Sequence, residues 1–239
     1  AMKDANQSLG NFLPLSLHSR IHGNAGARPA AVEFPAAVLF VDVSRYTALV
    51  EQLARRGQEG LEKISTLLSL SYGRCADQIC NRSGEVLYFE GDSLVAYWPA
   101  DGDNLGSAVR AAVDCADAIC GPAAQNVRTG ETDPALHVGV GAGRLWAAAL
   151  GGQPVWNLVA GGDALMQAAA SQTLARPREY VVSDAAAQEL ANFQMRAPVN
   201  TSGRHSELLP LPSASWLSSF LPPQLREVTV GEASIPERP

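Results

Sequence analysis

Apolar residues recur along this chain with two periods. The run Ala36-Ala37-Val38-Leu39-Phe40-Val41 is nearly continuous and closes on Asp42. It predicts a strand over 36–42 that is buried on both faces or central in a sheet. Ser44 stands as an N-cap for a helix carrying Leu49, Val50 and Leu53 and ending near Gly57. A second helix follows, with Leu61, Ile64, Leu67, Leu68, Tyr72 and Ile79 at helical intervals. From Gly84 to Pro99 the pattern changes to aromatic and β-branched residues around Glu90-Gly91-Asp92, which predicts a hairpin with a tight acidic turn. Asp101-Gly102-Asp103-Asn104 starts a helix from about Leu105 to Ile119, with Val109, Val113 and Ile119 inward.

The stretch Leu136-His137-Val138-Gly139-Val140-Gly141-Ala142-Gly143 alternates, predicting a strand whose small residues admit another backbone. Gly151-Gly152-Gln153-Pro154 reads as a linker to Val155-Trp156, before a helix from Asp163 to about Ser171. Glu179-Tyr180-Val181-Val182 predicts a strand, and Ser183-Asp184 caps a helix through Ala191. Residues 193–212 are broken by Pro and Gly and offer at most an edge strand. This order suggests an α+β sandwich with a mostly antiparallel sheet and flanking helices.

At 239 residues and 46% hydrophobic, the chain can bury a sizeable core in one domain with extensions. The expected divisions are a lead-in over 1–35, a domain over 36–200 and a C-terminal extension over 201–239. No apolar run approaches the roughly 18 to 20 residues of a membrane span, and no signal peptide is evident, so a cytoplasmic protein is expected. A net charge of −6 without basic clusters argues against a nucleic acid polymer as partner. Cys75, Cys80, Cys115 and Cys120 form two pairs of equal spacing. Residues five apart on a helix diverge, so these read as small apolar packing groups or free thiols rather than zinc ligands. Phe220-Leu221-Pro222-Pro223-Gln224-Leu225 echoes Phe12-Leu13-Pro14-Leu15-Ser16-Leu17, by chance or because a second, similar domain follows.

Two carboxylates offer chemistry: Asp42 where a strand gives way to a helix, and Asp92 in the hairpin turn. Magnesium takes hard oxygen ligands, commonly one or two carboxylates together with substrate phosphates. Backbone N–H groups around Ser44, Arg45, Tyr46 and Thr47 stand at a helix start that could cradle a polyphosphate. On the residues alone, Asp42 could equally be an N-cap and Asp92 a turn residue.

Phe40-Val41-Asp42-Val43-Ser44-Arg45-Tyr46-Thr47 and, fifty residues on, Phe89-Glu90-Gly91-Asp92-Ser93-Leu94-Val95-Ala96-Tyr97-Trp98 together resemble the class III nucleotidyl cyclase catalytic domain. The likeness runs from about 36 to 192 and is greatest to the first cyclase domain of soluble, bicarbonate-responsive adenylyl cyclases and their bacterial relatives. It implies a ferredoxin-like βαββαβ core and an active site between two such domains. It also implies that Asp42, Asp92 and Val43 hold two Mg2+ (or Mn2+), and that Val43, Ser44, Arg45, Tyr46, Thr47 and Gly91 surround the nucleotide. The implied reaction is conversion of ATP to 3′,5′-cyclic AMP and pyrophosphate.

The second half departs from the active pattern. Tyr88 stands in place of a base-reading lysine, Val159 of a second base reader, Met166 of a ribose-orienting Asn and Ala170 of a transition-state Arg. The resemblance therefore implies a metal-binding half that needs a second cyclase domain, on the same full-length chain, while a homodimer would lack those groups. The alternative is a catalytically degenerate module that binds nucleotide and regulates. Tyr88 and Ala169 also replace the lysine and arginine associated with bicarbonate control. Arg45, where the family has Gly, is expected to face solvent. His18, His22, His137 and His205 show no ligand spacing and read as surface or hydrogen-bonded residues, and Trp98, Trp146 and Trp156 as core or interface packing groups.

Overall fold

A computed structural model describes residues 14–23, 31–44, 46–102, 104–120, 135–152 and 155–196. Arg45, Gln153, Pro154, His205 and the motif at 220–225 lie outside the described residues, as do the side chains of His22 and Trp156. Six helices are described: α1 (Leu15–Gly23), α2 (Tyr46–Ala54), α3 (Gln58–Cys80), α4 (Leu105–Cys120), α5 (Asp163–Leu174) and α6 (Asp184–Arg196). The strands are β1 (Ala31–Val43), β2 (Glu85–Glu90), β3 (Ser93–Pro99), β4 (Leu136–Gly152), β5 (Val155–Gly161) and β6 (Tyr180–Val182). They pair in the order β2-β3-β1-β4-β5, with β6 parallel to β4. β1–α2–α3–β2–β3–α4–β4 in the order β2-β3-β1-β4 is a ferredoxin-like βαββαβ core with an added helix.

The chain divides into two compact units, one of residues 34–145 and 161–199 and the other of 1–33, 146–160 and 200–239. In the smaller unit, α1 buries Leu17 and Ile21 within what reads in sequence as an aperiodic lead-in. On its portion of β4, Ala147 and Ala149 are buried while Trp146 is exposed. Trp146 is thus not a core residue, unlike Trp98, which lies in the core of the larger unit with its Nε1 donating to the Arg82 carbonyl at 2.8 Å.

The larger unit is built on a two-sided sheet. Ala37, Leu39 and Val41 of β1, Leu94, Ala96 and Trp98 of β3, and Val138, Val140 and Ala142 of β4 form one apolar face. Against it pack Cys75 and Ile79 of α3, Val109, Ala112 and Ala116 of α4, and Ala186 of α6. Ala36 and Val38, on the opposite face of β1, are also fully buried, which accounts for the unbroken apolar run. α3 begins at Gln58 and turns Ile64, Cys75 and Ile79 inward, but Leu61 is left exposed.

The small residues of β4 admit α5. A Cβ on Gly139 would lie 2.0 Å from the Ala168 carbonyl oxygen and 2.3 Å from the Gln172 nitrogen, and one on Gly141 would lie 2.2 Å from the Ala164 oxygen. Helix and strand backbones thus touch on the face opposite Val138 and Val140. At the start of α6, Ser183 is the N-cap, its Oγ accepting from the Ala186 N–H at 3.2 Å. The expected linker at Gly151-Gly152 instead belongs to β4, which runs on to pair with β5. Alternation there is masked by alanine and glycine, whose weak contrast hides a strand.

All four cysteines are free thiols. Burial pushes Cys75, Cys115 and Cys120 each up to about 12, whereas Cys80 is exposed. Only the thiolate reacts with a disulfide reagent, so the native protein should release one equivalent of chromophore rapidly and the other three only on unfolding. Rapid release of two or more from the native protein would contradict this packing. Among the described residues no helix is long and apolar enough to cross a membrane.

Candidate active site

Asp42 is the next-to-last residue of β1 and pairs across the ladder with Ser93, the first residue of β3. Because Ala37, Leu39 and Val41 point into the helix-covered core, the two-residue alternation turns Asp42 to the other face. There Ser93 Oγ donates to Asp42 Oδ1 at 3.0 Å.

Asp92 arrives by way of the hairpin. Glu90 pairs with Ser93, leaving Gly91 and Asp92 as a two-residue turn. Gly91 has φ +61, the left-handed backbone that a type II′ turn requires at its first central position. The Asp92 carbonyl accepts from the Val43 N–H at 3.3 Å and from the Tyr72 hydroxyl, so the turn is tied to the end of β1 and to α3. Burial raises the Tyr72 phenol well above its usual range, and the charges of Asp92 and Asp42 raise it further. Both carboxylates therefore lie within electrostatic reach of one hydroxyl. The Tyr72 ring also meets Phe89 edge to face, with centroids 5.8 Å apart.

The other expected contacts divide. Ser44 does not present a free N–H: that group donates to the Ala135 carbonyl at 2.7 Å. Nor does its side chain cap α2, because the buried Ser44 Oγ has no hydrogen-bond partner among the described residues. What Ser44 offers is this orphaned hydroxyl, two residues after Asp42 in the chain. Tyr46 and Thr47 open α2, where first-turn N–H groups have no intrahelical acceptor. Arg45 is outside the described residues.

Two residues that the sequence did not single out complete the environment of Asp42. His137 Nε2 lies 3.0 Å from Asp42 Oδ2, and Gln172 Nε2 lies 3.1 Å from the same oxygen. His137 Nδ1 meets the Ala175 carbonyl at 3.1 Å. These partners stand 95 and 130 positions from Asp42, so no local spacing links them. One signal was available: His137 shares the two-residue alternation of Gly139 and Gly141, hence the face that α5 covers.

The architecture also has parallels. No family model matches the chain. Adenylate cyclase type 10 from Oryctolagus cuniculus is 23% identical over 158 residues, which is 65% of this chain and 10% of that protein. The chain thus spans about one tenth of this relative's length. The adenylyl cyclase CyaB from P. aeruginosa superposes with a TM-score of 0.56 at 17% identity, over 68% of this chain and 83% of that one. The fold is that of a class III nucleotidyl cyclase domain. A class III adenylyl cyclase-like ATP-binding protein from Pseudomonas aeruginosa superposes with a TM-score of 0.57 at 17% identity, over 74% of this chain and 38% of that one.

The four positions that depart from the family pattern in sequence, Tyr88, Val159, Met166 and Ala170, all lie among the described residues. Tyr88 is half-buried on β2, just past a bulge, and burial and then Glu90 raise its phenol. Met166 is 70% exposed, and Ala170 and Val159 are exposed as well.

Proposed function

We propose that this chain is the metal-binding half of an adenylate cyclase, acting in the cytoplasm with a second cyclase domain on the same full-length protein. The observation that carries this reading is the convergence of Asp42 and Asp92 at one end of β1, through strand register on one side and a glycine turn on the other. A module that merely packs has no use for two carboxylates at the end of one strand, nor for the buried, orphaned Ser44 Oγ two residues beyond Asp42.

The donor set suits Mg2+ or Mn2+: the carboxylates of Asp42 and Asp92, with the carbonyl of Val43, the residue after Asp42 in the chain. When bound, two such ions would activate the attacking hydroxyl and neutralise the leaving group. The ribose 3′-oxygen of ATP bonds to the α-phosphorus, the bond from that phosphorus to the bridging oxygen breaks, and pyrophosphate leaves while the hydroxyl gives up its proton to water. Ser93 fixes Asp42 Oδ1, and Val43 and Tyr72 fix the backbone that carries Asp92. The Ser44 hydroxyl and the first-turn N–H groups of Tyr46 and Thr47 face the phosphates, with Gly91 keeping the hairpin clear of side-chain bulk. The partner domain brings the base readers, the ribose-orienting Asn and the Arg.

A second reading is a nucleotide-binding regulatory module without turnover. Tyr88, Val159, Met166 and Ala170 favour it, as does the likeness to an adenylyl cyclase-like ATP-binding protein. Cyclic AMP formation with Mg2+ or Mn2+ separates the two, measured for the 239-residue chain alone and for a longer protein carrying the following cyclase domain. The catalytic half predicts turnover by the longer protein and at least about a hundredfold less from the chain alone, the scale of losing a charged transition-state group. A longer protein that binds ATP without turning it over would establish the regulatory module.

A further inference from the structure

The acidic turn is held from the helix layer as well as from the sheet. Tyr72 belongs to α3 and packs against the apolar core, in a helical turn fixed by the buried Ser71 and Cys75. Its hydroxyl meets the Asp92 carbonyl at the tip of the hairpin. A carbonyl only accepts, so the phenol keeps its hydrogen and is the donor. From the sheet side the same carbonyl receives the Val43 N–H at 3.3 Å, beyond the usual range for such a bond. The shorter of these two ties therefore comes from Tyr72. Outside, the tip stands open: Glu90 and Gly91 are exposed, and a Cβ on Gly91 would meet nothing within 4 Å.

That tie opposes a specific force. Asp42 and Asp92 both bear on the Tyr72 phenol, so two like charges share the end of β1. Their repulsion pushes the hairpin tip off the strand, and nothing among the described residues packs on Gly91 to resist it. We propose that the Tyr72 hydroxyl is a positioning group for a divalent cation: it holds Asp92 near Asp42 before the ion arrives and so sets the affinity of the pair. The inference rests on Asp42 and Asp92 being metal ligands, as in the function proposed above, but not on turnover.

The chemistry of the tie suits that task. A lysine or arginine in this place would neutralise a carboxylate and compete with the ion, whereas a phenol adds no charge. By donating to the main chain, Tyr72 leaves the carboxylate oxygens of Asp92 to the ion. Preorganisation of this kind raises affinity by removing the work of gathering the ligands, without any contact to the ion itself. Once saturating metal holds the two carboxylates together, the hydroxyl has nothing left to add. Its loss should therefore raise the metal requirement and spare the saturated rate.

Manganese is the probe, titrated by EPR into the 239-residue protein without nucleotide. Tyr72→Phe keeps the ring and its edge contact with Phe89 and removes only the hydroxyl. It should weaken Mn2+ binding about fivefold to tenfold, the scale of one hydrogen bond. Tyr97→Phe is the control from the same hairpin, since it removes the phenol that donates to Glu85 Oε2 at 2.9 Å. It should lower the melting temperature comparably and change Mn2+ affinity by less than about twofold. In the two-domain protein, Tyr72→Phe should raise the half-saturating Mg2+ concentration by the same factor, with the rate at saturating Mg2+ and the KM for ATP within about twofold of wild type. Unchanged Mn2+ affinity in Tyr72→Phe, or equal weakening by both phenylalanine variants, would overturn the inference; loss of binding in Asp92→Asn would show that the metal-binding reading survives that result. Mn2+ that does not bind wild type, or that binds Asp92→Asn equally well, would sink both. Weaker Mn2+ binding in Tyr72→Phe alone, with no turnover by the two-domain protein, would uphold the tie and refute the cyclase.

Discussion

Asp42→Asn is expected to reduce cyclic AMP formation by the two-domain protein proposed above by about a hundredfold or more, a barrier increase of at least about 2.7 kcal/mol. The substitution keeps the shape of the side chain and removes its charge. Ser93 Oγ can still donate to the remaining carbonyl oxygen, so β1 and β3 should stay in register and the fold should survive. What is lost is a negative oxygen at the one point where the strand end, the hairpin turn and the α5 face come together. Asp92→Asn should act alike, because its carboxylate lies outside the backbone contacts that fix the turn: those use its carbonyl, through Val43 and Tyr72. Ser93→Ala is the scaled comparison. It removes one hydrogen bond, worth about 1 kcal/mol net, so activity should fall only about fivefold. Steady-state rates with matched thermal melts check all three. Equal activity of wild type and both asparagine variants would remove the two carboxylates from the mechanism.

Gly139→Ala should lower stability more than any surface change in the protein, by about 3 kcal/mol, or roughly 6 to 12 °C in melting temperature. The new methyl would fall 2.0 Å from Ala168 O and 2.3 Å from Gln172 N, and both atoms are backbone within α5. No rotamer change relieves such a contact, so the helix itself must move. Gln172 would move with it, away from Asp42, whose Oδ2 accepts from its Nε2 at 3.1 Å. Gly73→Ala supplies the contrast: its Cβ would meet nothing within 4 Å on an exposed turn of α3, and alanine is the better helix former by about 0.5–1 kcal/mol. It should raise the melting temperature slightly. If both substitutions cost the same, close packing of α5 on β4 is not what Gly139 provides.

The likeness to adenylate cyclase type 10 covers 65% of the chain at 23% identity, and the solved cyclase domains share the architecture at 17%. At that distance a fold is retained through its hydrophobic pattern, while side chains at the site are free to change. The roles of Tyr88, Met166 and Ala170, and of His137 beside Asp42, are therefore best tested on this chain directly.

The sequence by itself determined the central apolar strand, the tight turn that carries Asp92, the capped helix after Ser183 and the close approach at Gly139 and Gly141. Each is written locally, in a run of apolar residues, a glycine, a capping hydroxyl or a missing side chain, and both aspartate motifs sit at such local features. It did not disclose α1, because Leu17 and Ile21 alone give too little periodicity, or β5, because the alternation of small residues in β4 and β5 carries weak contrast. Only the tertiary structure decided what surrounds Asp42. Strand register set Ser93 against one oxygen, while the face shared by β1 and β4, closed by α5, brought His137 and Gln172 to the other. Contacts across 95 and 130 positions leave no trace in spacing. They exist because alternation along a strand fixes which face a residue takes, and only the packed helix fixes what it meets there.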